Sequence, residues 1–242
     1  MPGVYFNTQV PARLAVLAFL GTVAALAVVV LIIMVLLFRR RLRLAGLIAL
    51  LAAGGVGLYL TALLLFSFSS REQAARPGEE KYFCELDCHL AYSVAEVART
   101  STLGPSGAQC QARGTFVVVR LKVRFDEQTI ASWRPRDLPL RPNRRAVALV
   151  DAAGRRYSVS KEGLQALVAA EGSLPSLDAA LLPGESYTAT LVFDLPAETG
   201  EVRLLLTEAD WVTSLLIGHE NSFLHKKTYF LLTENPAGAP LA

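Results

Sequence analysis

The stretch Phe38-Arg39-Arg40-Arg41-Leu42-Arg43 decides the fold of this chain, because it separates two long apolar runs. The runs cover residues 14–38 and 44–68, and each has 25 residues without a charged side chain. As a helix, such a run spans about 37 Å at roughly 1.5 Å per residue, more than the hydrocarbon core of about 30 Å. The sequence therefore predicts a transmembrane helical hairpin over residues 13–70, with its turn at 39–43.

The arginines of the turn indicate how this hairpin is oriented. Positively charged loops resist translocation, so we expect the turn to lie in the cytoplasm. Residues 1–12 and everything after Ser70 then lie on the extracytoplasmic (periplasmic) side of the inner or cytoplasmic membrane. The apolar run continues well beyond Ala25-Leu26-Ala27, and this continuation argues against a cleaved signal peptide.

Composition limits the partners that this protein can have. The mean hydropathy is +0.38 and 52% of the 242 residues are hydrophobic, as expected for a membrane protein. The net charge is +3, and the turn alone carries four arginines, so the exterior part is nearly neutral. A nucleic-acid partner would require a basic face, and we therefore expect lipids and other membrane subunits as partners, not nucleic acid.

The exterior part begins with a polar linker at 71–80 and continues as β structure over 81–233, before a Pro- and Ala-containing flexible tail at 234–242. Within residues 116–125, the stretch from Val119 to Phe125 alternates apolar with basic side chains, a pattern typical of half-buried strands. Gly154 indicates a hairpin turn, Ser160 the start of a short helix that ends near Gly172, and residues 182–185 a type II turn. Seven short strands predict an antiparallel sandwich. Together with the transmembrane hairpin, this sandwich predicts the fold class of an α+β membrane protein.

Two stretches of this part resemble known families. The Asp151, Gly154 and Tyr157 hairpin, followed by Gly184-Glu185 and a strand through Phe193 to Pro196, resembles bacterial extracytoplasmic immunoglobulin-like domains of unassigned function. The resemblance implies an all-β immunoglobulin-like sandwich and no particular activity.

The two-helix anchor with an exterior β domain is also similar to subunit two of haem–copper cytochrome oxidases. Cys84-Glu85-Leu86-Asp87-Cys88 has the outline of that family's copper motif, C-x-E-x-C. The copper motif is not matched, because Glu85 follows Cys84 by one position where the family has two. Tyr92 and Ala95 also stand where the family has a histidine and a methionine.

The cysteines provide the candidates for site chemistry. A disulfide from Cys110 to Cys84 or Cys88 is favoured in an oxidising exterior compartment. The alternative is a metal or cofactor site on Cys84, Cys88 and His89, which would hold copper or zinc, or attach haem c. Otherwise we expect no cofactor.

The second apolar run contains a row of small residues spaced four apart, which we call the small-residue row. Small residues let helix backbones approach closely in lipid. The row therefore predicts a helix-packing interface, either with the first helix or with another subunit. Its members are Ala45, Ala49, Ala53, Gly57 and Thr61.

No other pattern indicates catalysis, so we do not expect an enzyme. The sequence lacks a nucleophile elbow, a phosphate loop and a pair of carboxylates at a hydrolytic spacing. Trp133 and Trp211 are interpreted as core or membrane-interface residues, His219 and His225 as structural, and the Arg-rich stretch 134–145 as a solvated loop. That loop could alternatively meet an acidic partner or lipid headgroups.

Three functions remain open at this point. The favoured hypothesis is a non-catalytic accessory subunit of a larger membrane complex, for which respiratory and photosynthetic assemblies are plausible hosts. The second is a periplasmic redox or metal-binding protein built on Cys84, Cys88 and His89. The third is an envelope module for ligand binding or adhesion.

Overall fold

The structure is a computed structural model that describes residues 3–85 and 87–233. The chain divides into two compact units, and neither is continuous in sequence. Residues 3–7, 72–209 and 227–233 form the β unit, and residues 8–71 and 210–226 form the helical unit. These units differ from the predicted domain scheme, which left residues 3–7 and the linker residues 72–80 outside the sandwich and included 210–226 in it. The predicted tail, 234–242, lies outside the described residues.

The helical unit contains the two predicted helices, α1 (Ala12–Phe38) and α2 (Leu42–Ser69). Both are long and apolar enough to cross a membrane, by length and composition. Between them the chain reverses within three residues, where Arg40 adopts a left-handed backbone with φ of 53°. The N–H of Arg41 donates a hydrogen bond to the carbonyl of Leu36 at 2.9 Å, which closes the end of α1.

The helices of the hairpin meet along one narrow seam. Residues with reduced exposure recur at spacings of three and four, the pattern of left-handed helix packing. On α1 they include Ala15, Phe19, Thr22, Leu26, Val29, Ile33 and Leu36, and on α2 they include Ala45, Ile48, Ala52, Val56, Tyr59, Leu63 and Ser67.

The β unit is a sandwich of two five-stranded sheets. The first sheet has, in order, β1 (Val4–Phe6), β3 (Glu80–Glu85), β4 (Cys88–Leu103), β5 (Cys110–Asp126) and β8 (Ser186–Leu195). The second has β2 (Gln73–Ala75), β10 (Thr228–Leu231), β9 (Val202–Glu208), β6 (Arg145–Asp151) and β7 (Arg156–Tyr157).

The sequence predicted an antiparallel sandwich, but two of the strand pairs in the structure are parallel. The pairs β1–β3 and β2–β10 are parallel, and each adds a three-residue strand to a sheet edge. These short strands come from the exterior N-terminal segment and from the predicted linker. Three residues are too few to show a period-two pattern, so sequence periodicity did not detect them.

The core of the sandwich confirms the alternation read from residues 116–125. Val119, Leu121, Val123 and Phe125 of β5 are fully buried, whereas Lys122 on the opposite face is exposed. The predicted hairpin is also present, with Gly154 at φ of 78° between β6 and β7. The predicted helix is α3 (Lys161–Glu171), where the Ser160 hydroxyl accepts a hydrogen bond from the Gly163 N–H at 3.1 Å.

Gly163 sets how closely α3 packs on the first sheet. A Cβ at this position would lie 2.7 Å from Val192 Cγ1 and 3.0 Å from Phe116 Cε1.

Intrinsic helix propensity favours alanine over glycine by up to about 1 kcal/mol. We nevertheless expect Gly163→Ala to lower the free energy of unfolding by about 1–3 kcal/mol through overpacking. Chemical denaturation of the detergent-solubilised chain measures this change. Gly200→Ala is the control, because an added Cβ there meets nothing within 4 Å, and equal stability of the two variants would contradict the packing argument.

Candidate functional site

A cluster of buried charged side chains lies between the sheets at one end of the sandwich, and we call it the buried charge cluster. It contains two cations and two carboxylates, and all four come from strands. They are Lys81 and Glu85 of β3, Arg145 of β6 and Glu208 of β9. Arg145 and Glu208 face each other across the β6–β9 ladder.

Arg145 is the centre of this cluster. Its side chain has no exposed surface, and its guanidinium forms an ion pair with Glu85. The guanidinium carbon also lies 4.4 Å from the centroid of the Phe83 ring and 5.5 Å from that of Tyr92. A buried guanidinium is tolerated when carboxylates and aromatic faces replace its water, as they do here.

The carboxylates of the cluster accept hydrogen bonds from residues outside the strands. Glu85 accepts hydrogen bonds from the side chain and the backbone N–H of Asn143. Glu208 accepts one from the Asn7 side chain at 2.9 Å. The cluster therefore connects the N-terminal segment and the loop before β6 to the sandwich core.

Lys81 extends from the first sheet to the second. Its ammonium donates to the backbone carbonyl of Leu206 at 2.8 Å and to that of Thr228 at 3.3 Å. It also lies 5.0 Å from the centroid of the Phe83 ring. Through these bonds Lys81 joins β3 to β9 and β10, and the cluster acts as a polar link between the sheets.

Burial shifts the ionisation of this cluster. Burial raises the pKa of Glu85 above its usual range, and the nearby Arg145 guanidinium opposes that rise. A carboxyl with a raised folded-state pKa favours folding most below its ordinary pKa, and this contribution is lost as the pH rises through the raised value. The charged form of Glu85 therefore depends on Arg145 for compensation at neutral pH.

The Arg-rich stretch 134–145 is exposed over most of its length, as the sequence predicted, but the arginines at its two ends are not solvated. The side chain of Arg134 at its start is 9% exposed and forms an ion pair with Asp87 at 2.6 Å. Arg145 at its end is buried in the charge cluster. Composition alone misled the prediction, since it does not show which arginines of a loop have carboxylate partners.

The three residues proposed for a metal or haem site do not converge. Cys84 lies opposite His89, and Glu85 lies opposite Cys88, in the β3–β4 ladder. Because adjacent residues of a strand face opposite sides, Cys88 faces away from Cys84 and His89. Burial, followed by a hydrogen bond with Asp87, raises the pKa of the Cys88 thiol, which disfavours a thiolate ligand. Among the described residues, no group of three His, Cys, Asp or Glu side chains could hold a metal ion.

The predicted disulfide is not formed either. All three cysteines are described, and none takes part in a disulfide. Cys110 pairs with Leu103 at one end of the β4–β5 ladder, whereas Cys88 begins β4 at the other end. A ladder of this length separates the two thiols by tens of ångströms, far beyond the Cα separation of about 4.4–6.8 Å that a disulfide needs.

The small-residue row on α2 turns away from the hairpin seam. Ala45 is 4% exposed and lies in the seam, but the other four members are exposed. A residue every four positions drifts by about 40° per step around a helix of 3.6 residues per turn. The row therefore leaves α1 after its first residue, and an added Cβ at Gly57 meets nothing within 4 Å. Whether another subunit covers the row stays a prediction.

Sequence reasoning missed the buried charge cluster, although a signal for it exists. Each cation or carboxylate of the cluster occupies one of the alternate strand positions that face the core and are otherwise apolar. Lys81 alternates with buried Phe83, and Glu208 alternates with buried Leu204 and Leu206. A charge in the inward phase of a strand predicts a buried partner of opposite charge.

Comparisons with known proteins add little to these observations. No protein-family model matches the sequence, and a comparison with curated proteins finds no match. A conserved hypothetical protein from Bacillus anthracis is 17% identical with a TM-score of 0.40, over 52% of this chain and 86% of that one. A secreted protein from Mycobacterium tuberculosis is 13% identical with a TM-score of 0.42, over 67% and 99%. An uncharacterized β-sandwich protein from Clostridium difficile is 12% identical with a TM-score of 0.35, over 68% and 97%. At these TM-scores the similarities carry no argument about function.

Removal of the Arg145 charge tests the role of the buried cluster. Arg145→Met leaves two buried carboxylates without their main cation. We therefore expect the free energy of unfolding to fall by about 3–5 kcal/mol near neutral pH. The pKa of Glu85 in the folded protein then rises further. Because folding with an ionised Glu85 becomes more costly, the loss of unfolding free energy is larger at about pH 8 than at about pH 5. Thermal or chemical unfolding at both pH values measures this difference.

Two further variants make the Arg145 experiment specific. Arg144→Met is the control, because Arg144 is exposed and we expect no measurable change. The double variant with Glu85→Gln should recover part of the stability, since it removes one of the uncompensated charges. A loss for Arg145→Met that is the same at both pH values would contradict the assigned role.

Proposed function

We propose that this chain is a non-catalytic, membrane-anchored accessory subunit of a larger membrane complex. The hairpin docks in the membrane part of that complex, and the sandwich covers its extracytoplasmic face. The observation that carries the proposal is the hairpin itself, whose helices bury one seam and leave most of their apolar surface exposed. Water does not tolerate such a surface, whereas lipid and other transmembrane helices do.

Membrane insertion and orientation have separate support. The described helices are as long as the predicted apolar runs, and Arg39, Arg40, Arg41 and Arg43 cluster at the turn. Basic turns are retained in the cytoplasm, so both ends of the hairpin and the sandwich are extracytoplasmic in this proposal.

Docking to another subunit is supported by the small-residue row. Ala49, Ala53 and Gly57 give α2 a shallow exposed strip outside the seam. In lipid, close backbone approach along such a strip is a main source of helix association. We therefore assign this strip to a transmembrane helix of the host complex.

The sandwich is proposed to be immunoglobulin-like. The order β4-β5-β8 in one sheet and β10-β9-β6-β7 in the other corresponds to strands A-B-E and G-F-C-C′ of such domains. In this correspondence α3 occupies the connection between C′ and E.

Substitution in the small-residue row tests the docking proposal. Gly57→Leu places a large side chain where a partner helix should approach, at a cost on the order of 1–3 kcal/mol in association. We expect the hairpin to insert normally and the subunit to separate from its complex on native gels. Gly55→Leu is the matched control, because it makes the same change on another side of α2. Retention of the complex by the Gly57 variant would show that the row faces lipid.

Cysteine labelling tests the orientation. In a background without the native cysteines, Arg41→Cys should react with an impermeant reagent only after the membrane is breached. Leu138→Cys, at a position that is 51% exposed in the β unit, should react from the extracytoplasmic side. The reverse pattern would contradict the proposed orientation.

A further inference from the structure

We infer that residues 210–226 form a second membrane-contacting element, which places Trp211, Phe223 and Leu224 in the headgroup–acyl boundary of the outer leaflet. The inference rests on the proposed function, because it requires the hairpin to span a bilayer. The segment lies far from both helices in the sequence and joins them only in the folded helical unit.

The 210–226 segment has its own internal structure. It begins with a short 3₁₀ helix, Trp211–Leu215, capped by Asp210, whose carboxylate accepts a hydrogen bond from the Val212 N–H. The Asn221 side chain donates to the Thr213 hydroxyl at 2.9 Å. The segment is therefore a folded element that can present side chains in fixed positions.

The segment contacts α2 and the residues that flank the exterior ends of both helices. The Tyr59 hydroxyl of α2 donates to the carbonyl of Leu215 at 2.7 Å. The N–H of Lys226 donates to the Ser70 hydroxyl at 2.8 Å. Before α1, the N–H of Gln9 donates to the carbonyl of Gly218 at 2.7 Å. These three bonds hold the segment alongside the hairpin.

The bond to Tyr59 fixes the depth of the segment. Tyr59 is 15 residues from Leu44, the first residue of the apolar run after the arginine turn, which corresponds to about 23 Å along the helix. If Leu44 marks the cytoplasmic boundary of a hydrocarbon core of about 30 Å, Tyr59 lies about 7 Å inside its outer boundary. Tyrosine and tryptophan favour this zone, where apolar rings and polar atoms are both accommodated.

The exposed side chains of the segment suit that depth. Trp211 is 73% exposed, Phe223 is 65% exposed and Leu224 is 53% exposed. Leu224 also has φ of 63°, a left-handed backbone conformation that is costly for a leucine. Lys226 follows on the exposed surface, and its ammonium can reach lipid phosphates. Aromatic, aliphatic and basic groups together are the chemistry of the headgroup–acyl boundary.

Tryptophan fluorescence can test this inference directly, because the sequence contains two tryptophans and both are exposed. Trp133→Phe leaves Trp211 as the single probe, and Trp211→Phe leaves Trp133, which is 67% exposed in the β unit, as the matched control. Each full-length variant is reconstituted into phosphatidylcholine–phosphatidylglycerol vesicles with bromine at shallow or deep acyl positions. Flotation first establishes that the protein has incorporated.

We expect the fluorescence of Trp211 to be blue-shifted and quenched several-fold more by shallow than by deep bromines, whereas Trp133 should be unaffected. Incorporated protein with unquenched Trp211 would overturn the inference but leave the membrane anchor intact, and would assign the surface to a protein partner instead. Equal quenching of both tryptophans, or quenching of Trp211 by deep bromines alone, would also overturn it. Failure to float would contradict the proposed membrane anchor itself.

Discussion

The ion pair between Arg145 and Glu85 is the interaction on which the sandwich most depends. Both groups are removed from water, and an uncompensated charge there would cost several kcal/mol. Each must therefore remain next to the other, which fixes the end of β3 against the start of β6. Asn7 and Asn143 complete the arrangement through Glu208 and Glu85. The polar requirements of a few side chains thus constrain which backbone segments meet.

Hydrophobic patterns were sufficient to predict much of the architecture. The two helices, the buried phase of β5, the hairpin at Gly154 and the cap at Ser160 follow from local rules of burial and turn chemistry. These rules operate over a few residues, so a single sequence contains them in full. The edge strands β1 and β2 do not follow from such rules, because their partners are distant and each strand has only three residues.

Predictions about the candidate sites were less successful, for geometric reasons. Cys84, Cys88 and His89 are close in sequence, yet strand alternation places Cys88 on the opposite face from Cys84 and His89. A spacing of four suggested one continuous face on α2, but a helix of 3.6 residues per turn carries such a row around its axis. Charge count suggested a solvated loop at 134–145, but the ends of that loop pair with Asp87 and Glu85. In each case the spacing or composition of the residues could be read from the sequence, but the direction in which each side chain points could not.

The discontinuity of the β unit has a consequence for biosynthesis. Strand β1 is synthesised before the hairpin, but its partner β3 is synthesised after it, and the two must pair in parallel. In the proposed orientation, residues 3–7 must reach the far side of the membrane before the first sheet can be completed. The sandwich then cannot finish folding until the hairpin has been inserted. A chain whose insertion fails would expose an unpaired edge of β3, and an open edge of this kind marks it for recognition by quality-control proteases.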